Sequence, residues 1–417
     1  MHPSLFEIIA ASVFGLAIVH TFAAKQIERH AHKTPKHAGF LHLLGEVEVV
    51  FGFWAIVLMV VLALLNGADK ATAYVESRDY TEPLFVFAIM VVAASKPVLY
   101  CVSRAVEALG RRLPGRSSLP TTWLGLAAVP LLGSLITEPA AMTIAALMLA
   151  PVVFRPDVPE LPKYIAIGTL FVNVSIGGTL SAYAAPPILM VAKTWDWNTS
   201  FMLATFGWKA ALAVVVNATI ATIAIRRHLG NGPSSEVEQE RVPLLVVLVH
   251  LALLAGIVLS SHHPAIFIGL LLMFLGFAQA YERYQNPLIL REALLVGFFL
   301  AGLVVLGGFQ RWWLQPTIAS LDNHALFLSA LGLTAITDNA ALTYLGSLTE
   351  GISAQTKYWL VAGAVTGGGL TVIANAPNPA GVSLLRKGFS DETISAMGLL
   401  AGAIVPTAIA ALAFAVL

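Results

Sequence analysis

The segments Thr137-Glu138-Pro139-Ala140-Ala141 and Thr337-Asp338-Asn339-Ala340-Ala341 set a carboxylate inside an apolar run twice, 200 positions apart. Each is trailed by a Gly-rich, Pro-ended segment. Gly177-Gly178-Thr179-Leu180 runs on to Ala185-Pro186-Pro187, and Gly367-Gly368-Gly369-Leu370-Thr371 runs on to Asn375-Ala376-Pro377-Asn378-Pro379. The trailers are offset by 190 positions, so the halves differ by a ten-residue insertion or deletion between the two elements. The pattern is that of a duplicated chain. Each half combines a helix-breaking segment with a charge that apolar surroundings disfavour.

Composition places those surroundings. The chain has 417 residues, 58% hydrophobic and 11% charged, with mean hydropathy +0.81. Soluble domains carry about 25% charged residues, so this chain reads as a polytopic membrane protein. A net charge of +1 without a long basic block argues against nucleic acid. The single cysteine, Cys101, excludes an intrachain disulfide and a Cys-rich metal site. There is no H-E-x-x-H, G-x-S-x-G or P-loop motif. Neither an enzyme nor a bound cofactor is expected. The first apolar run, 5–24, precedes Lys25, Arg29, Lys33 and Lys36, which fits a retained first helix with its N-terminus outside.

A crossing helix needs about 20 apolar residues. Ten spans are expected at 5–24, 39–66, 83–105, 163–192, 199–227, 243–260, 265–281, 293–313, 356–385 and 391–416. The acidic stretches, about 121–154 and 325–350, are read as re-entrant hairpins. With this topology 17 of the 24 Lys and Arg residues lie on the cytoplasmic side and 5 outside, while Lys96 and Lys209 fall within spans. Making either hairpin a full crossing destroys that bias. The fold class is therefore an all-α polytopic membrane protein of two inverted repeats. Each repeat has five transmembrane helices, a re-entrant hairpin and a discontinuous helix. The first repeat is 1–228, a polar cytoplasmic linker is 229–242, and the second repeat is 243–417. Both termini lie outside a cell inner membrane.

The site chemistry follows from where irregular backbone is tolerated at membrane depth, namely around a buried or wet cavity. Gly and Pro unwind the broken helices at about 163–192 and 356–385, freeing carbonyls for a cation or N–H groups for an anion. Glu138 and Asp338 favour the cation. Burial disfavours a bare carboxylate, so such a group exchanges a proton for a metal cation. Thr137, Thr337 and Asn339 add neutral oxygens at the tips; Thr179, Ser181, Thr371, Asn375 and Asn378 add them from the unwound segments. An all-oxygen shell suits Na⁺ or Li⁺, with Asp338 and Glu138 as the charged ligands. Lys96 and Lys209 are candidate counter-charges, against the plainer reading that they reach for an interface. Glu138 and Asp338 can equally serve as helix caps.

These residues resemble the ion transporter superfamily. Thr334-Ala335-Ile336-Thr337-Asp338-Asn339-Ala340-Ala341-Leu342-Thr343 is similar to the Asp-Asn hairpin tip of its sodium/proton antiporter branch. Ile176-Gly177-Gly178-Thr179-Leu180 and Gly367-Gly368-Gly369-Leu370-Thr371-Val372-Ile373 are similar to its Gly-Gly-x-x-Thr-x-Ile segments. The resemblance implies a homodimer, a scaffold of early helices, and hairpins and broken helices that move together as an elevator. Glu138-Pro139 departs from the family's first tip, and Tyr183-Ala184-Ala185 lacks the usual Thr and Asn. The expected function is exchange of Na⁺ or Li⁺ for protons, with small ions and the lipid bilayer as partners. The alternative is Na⁺-coupled symport of a carboxylate or inorganic oxyanion.

Overall fold

The computed structural model describes residues 3–31, 38–112, 118–230 and 241–417. Most of the linker expected at 229–242 lies outside the described residues, as do Lys33, Lys36, Arg116 and the side chains of Lys25 and Arg29. All regular structure among the described residues is helical.

The first half contains α1 (Leu5–Ala31), α2 (Ala38–Gly45), α3 (Val47–Asn66), α4 (Ala68–Glu76), α5 (Thr81–Ala93) and α6 (Lys96–Gly110). There follow α7 (Ser118–Leu126), α8 (Ala128–Ile136), α9 (Glu138–Leu149), α10 (Glu160–Gly177), α11 (Pro186–Ala192), α12 (Thr199–Met202) and α13 (Trp208–Ile225). The second half contains α14 (Leu244–Leu259), α15 (Pro264–Ala280), α16 (Leu290–Gly307), α17 (Arg311–Ser320) and α18 (Asn323–Ile336). It ends with α19 (Asn339–Ser347), α20 (Ala354–Gly367), α21 (Asn378–Leu385) and α22 (Ala396–Val416).

Six stretches among the described residues are long and apolar enough to cross a membrane: α1, α3, α10, α13 with its preceding turns, α16 and α22. The pairs α5–α6 and α7–α8 qualify jointly, bent by 65° and 42°. Helices α14 and α15 are apolar but only 16 and 17 residues long. Large apolar side chains such as Leu64, Leu259 and Leu272 stand exposed, as suits a molecule solvated by lipid.

In the first half two spans expected to be continuous are interrupted, and in the second the stretch 293–313 breaks between Gly307 and Arg311. The stretch 39–66 breaks at Glu46, which is extended and whose carboxylate pairs with Arg291. The stretch 83–105 bends at Ala94-Ser95, because Pro97 in the first turn of α6 lacks the N–H needed to continue α5. At the acidic stretches, α8 and α9 meet at Thr137, and α18 and α19 meet at Thr337-Asp338. Helix α10 stops at Gly177 and the chain re-enters helix at Pro186; α20 stops at Gly367 and α21 begins at Asn378.

The helices pack in matched pairs. Helix α8 lies on α10, and α18 lies on α20. Helix α9 packs against α21, and α19 against α11. Likewise α3 lies on α16 while α5 lies on α15; α10 carries both α13 and α22. Glycines permit the closest approaches. A Cβ at Gly177 would sit 2.7 Å from the Pro130 carbonyl of α8, and one at Gly367 would sit 2.4 Å from the Leu331 carbonyl of α18. This packing holds both acidic tips beside both broken segments.

Candidate functional site

The first tip is a strained turn. Thr137 has φ 85° and ψ 151°, a region that β-branched residues avoid. Its N–H donates to the Gly133 carbonyl at 2.8 Å, ending α8, and its own carbonyl accepts from Ala141 N–H at 3.1 Å, starting α9. Pro139 fits the first turn of α9 because its missing N–H would have no partner there. Glu138 is fully buried. Its Oε2 accepts from Asn375 Nδ2 at 2.9 Å, so the first tip is held by the second broken segment. Its Oε1 faces Gly178, where an added Cβ would approach to 2.4 Å. A cavity of about 10 Å³, room for one water, is lined by Thr137, Pro139, Tyr183 and Ala376, with Met90 and Val296 from α5 and α16.

The second tip is a capped turn. Asp338 is extended, and its Oδ1 accepts from Ala340 N–H at 2.8 Å and Ala341 N–H at 3.0 Å. The positive end of α19 thus faces the carboxylate, and Oδ2 takes no part in the cap. Asn339 N–H donates to the Ala374 carbonyl at 3.1 Å. Its side-chain Nδ2 reaches Ser175 Oγ at 3.4 Å, and Ser175 in turn donates to the Val365 carbonyl at 2.7 Å. Gly368 makes this crossing possible, since a Cβ there would lie 2.2 Å from Ser175 Oγ and 2.9 Å from Asn339 Nδ2. Sequence reasoning missed Ser175. A lone serine in an apolar helix carries no distinctive signal, and its role depends on which backbone crosses it.

The other sequence-derived residues divide into two groups. Thr179 Oγ1 donates to the Ile176 carbonyl, Thr337 Oγ1 to the Leu333 carbonyl, and Thr371 Oγ1 to the Ala335 carbonyl. These hydroxyls stitch the ends of broken helices and hairpins, while their lone pairs stay available. Asn378 Nδ2 ties the second broken segment together, donating to the Gly368 and Thr371 carbonyls at 2.8 Å each. By contrast Thr137 Oγ1, Glu138 Oε1, Asn339 Oδ1, Asn375 Oδ1 and Asn378 Oδ1 are buried without a hydrogen-bond partner. Ser181 is buried beside Tyr183. Lys209 Nζ donates to Tyr358 OH at 2.8 Å and lies over the Trp208 and Tyr358 rings, away from either tip's hydrogen bonds. Lys96 is half-buried at the α5–α6 bend.

The arrangement suits a weakly held hard cation. It offers carboxylate, amide and hydroxyl oxygens, several of them buried acceptors without a hydrogen-bond partner. Among the described residues no cluster of three or more His, Cys, Asp or Glu side chains could hold a transition metal. A family model described as "Putative Na+/H+ antiporter" matches residues 5–417. A comparison with curated proteins finds no match.

Proposed function

We propose, since the chain belongs to the Na⁺/H⁺ antiporter family, that it exchanges Na⁺ or Li⁺ for protons through Asp338, with Glu138 as its partner. The protein is a membrane transporter of small ions, and cation/proton exchange is its function in broad terms. The observation that carries the finer reading is the Glu138–Asn375 hydrogen bond. It joins the acid of one half to the broken segment of the other, as a shared central site requires. Asp338 keeps one oxygen outside its cap for either a proton or a cation. Asn339, Asn375 and Asn378 supply neutral oxygens around it. A cation entering this shell displaces the proton, and the proton displaces the cation, so neither ion crosses without the other's exchange.

The matched packing pairs support two repeats of inverted topology, 1–228 and 243–417, whose tips act as re-entrant hairpins. We extend the reading to ten crossings, both termini outside a cell inner membrane, and a homodimer. Helices α3, α5, α15 and α16 form the scaffold against which hairpins and broken helices move. Lys96 serves as a counter-charge when the site is empty, whereas Lys209 is held by Tyr358 OH away from the tips.

The test uses proteoliposomes with an imposed pH gradient, a pH-sensitive dye, and wild-type protein against Asp338→Asn. Na⁺ or Li⁺ should collapse the gradient for the wild type alone. No response to either cation until an organic or inorganic anion is added would sink the exchange reading.

A further inference from the structure

A groove with a cavity volume of about 330 Å³ runs between α10, α13 and α22. The volume lies at the small end of the range for ligand pockets, about 300–1,000 Å³. Its walls are apolar, with Tyr164 from α10, Ile220 and Ala224 from α13, and Ala401 and Val405 from α22. It is bordered by side chains that face the membrane, since Ile220 and Val405 are both exposed. The floor is fixed. Asn217 Nδ2 donates to Asn173 Oδ1 on α10 at 2.9 Å and to the Pro406 carbonyl on α22 at 3.2 Å, tying all three helices together. The groove is therefore preformed.

Past the α13 wall of the groove the chain carries charge. Helix α13 finishes, two residues after Ala224, in a short turn made of Arg226, Arg227 and His228, all exposed. Among the described residues neither arginine pairs with a carboxylate. On the opposite rim Glu160 is occupied by Lys163 Nζ at 3.2 Å and by the N–H and hydroxyl of Ser390 at 3.2 and 3.1 Å. Two arginines without a carboxylate partner among the described residues thus follow directly on the α13 wall of the apolar slot.

We propose that this groove binds an anionic phospholipid of the surrounding membrane, with an acyl chain between α10, α13 and α22 and the phosphate on Arg226 and Arg227. The combination matches an amphiphile with one negative head, whereas a free phosphate would have no use for the slot and a neutral lipid no use for the arginines. The site stands apart from the acidic tips and does not depend on the exchange reading.

Native mass spectrometry of the detergent-purified full chain tests it, with phosphatidylglycerol and phosphatidylcholine of identical acyl chains as probes. Wild type should retain phosphatidylglycerol about tenfold better. Replacing both arginines, Arg226→Gln with Arg227→Gln, should lower that retention by about tenfold, to the level of phosphatidylcholine, and leave phosphatidylcholine unchanged. Filling the slot with Ala401→Trp, or with the milder Ala224→Leu should the first variant fail to fold, should lower retention of both lipids. Equal retention of the two lipids by wild type overturns the proposal. So does undiminished phosphatidylglycerol on the arginine variant, or unchanged retention of both lipids on a folded slot variant.

Discussion

The side-chain amide of Asn375 donates to Glu138 Oε2 at 2.9 Å, spanning 237 positions of sequence to join the first acidic tip to the second broken segment. Both residues are almost fully buried. Each also holds an oxygen with no partner, Glu138 Oε1 and Asn375 Oδ1. The contact therefore does two jobs. It fixes the tip in place, and it leaves two buried acceptor oxygens available to a hydrogen-bond donor or a cation.

Glu138→Gln separates those jobs. The amide oxygen of glutamine can still accept from Asn375, so the variant should fold with little loss of thermal stability. Without the charge, Na⁺-driven proton movement in proteoliposomes should fall at least about tenfold. Asn375→Ala should instead destabilise the protein, by about 1–3 kcal/mol or more, because it strands a buried acid without its donor. A Glu138→Gln variant with wild-type flux would remove Glu138 from the site.

Ser175 is expected to act through Asn339. Its oxygen holds the Asn339 amide nitrogen and fixes the amide whose Oδ1 is buried without a partner. Ser175→Ala loses one neutral hydrogen bond, about 0.5–1.5 kcal/mol. The KM for Na⁺ should then rise about two- to tenfold with kcat within about twofold of wild type. A fall in kcat at constant KM would show that Ser175 matters only for packing.

Why some of this was legible in the sequence and some was not has a physical basis. Glu138 and Asp338 stood out because charge in an apolar run is costly, and Gly177-Gly178 and Gly367-Gly368-Gly369 because glycine and proline do not build long helices. Those signals are local. The break at Glu46 carries only a weak local signal, Gly45 inside a mostly apolar stretch, and its ion partner Arg291 is 245 positions away. The α5–α6 bend was hinted at by Pro97, but proline also occurs in unbroken spans, such as Pro406 within α22. The threonines were harder still. Thr179, Thr337 and Thr371 look like ligands in sequence, and only the fold reveals their bonds to nearby carbonyls.

Two glycines should be intolerant of a single methyl. A Cβ at position 178 would meet Glu138 Oε1 at 2.4 Å and Glu138 Cγ at 2.8 Å; one at 368 would meet Ser175 Oγ at 2.2 Å. Gly178→Ala and Gly368→Ala should each cost about 1–3 kcal/mol and most of the transport activity. Gly332→Ala is the control, with nothing within 4 Å of the new atom. Dye-based flux and thermal melts on the three variants decide it. Wild-type flux in Gly178→Ala would mean that the Glu138 carboxylate has room to move.

The loop pair Asp79 and Lys193 sets a pH dependence of stability away from the site. Burial raises the Asp79 pKa, but hydrogen bonds from Lys193 and Thr81 outweigh it and hold the carboxyl below its ordinary range. The bond to Asp79 holds Lys193 above its ordinary range. A depressed carboxyl contributes stability above its unfolded value, about 3.9, and loses it as pH falls through the lower folded value. A raised lysine contributes below about 10.4 and loses it as pH rises through the higher folded value. The contact is therefore intact from mildly acidic to mildly alkaline pH. Both side chains are about half exposed, so Asp79→Asn should cost no more than about 1 kcal/mol at neutral pH. The melting-temperature gap between wild type and variant should close as pH falls below the ordinary carboxyl value, about 3.9. A gap that widened on acidification would contradict this account.

Thr137 is where stability and function should part. Its φ of 85° with ψ of 151° is a conformation suited to glycine, and holding a β-branched residue there costs about 1–3 kcal/mol. The turn persists because Gly133 and Ala141 bond the backbone on either side. Thr137 Oγ1 meanwhile stays buried and unpartnered beside the small cavity at the tip. Thr137→Gly relieves the strain and removes that oxygen at one stroke, although glycine also gains freedom in the unfolded chain, an opposing effect of about 0.5–1 kcal/mol. The variant should melt at or above the wild-type temperature and transport Na⁺ with a weaker apparent affinity. Thr137→Ala should lose the same affinity without the gain in stability, because alanine keeps the strain. If Thr137→Gly melted lower and Thr137→Ala transported normally, the strained turn would be only a tight connection, and Thr137 would have no place among the cation ligands.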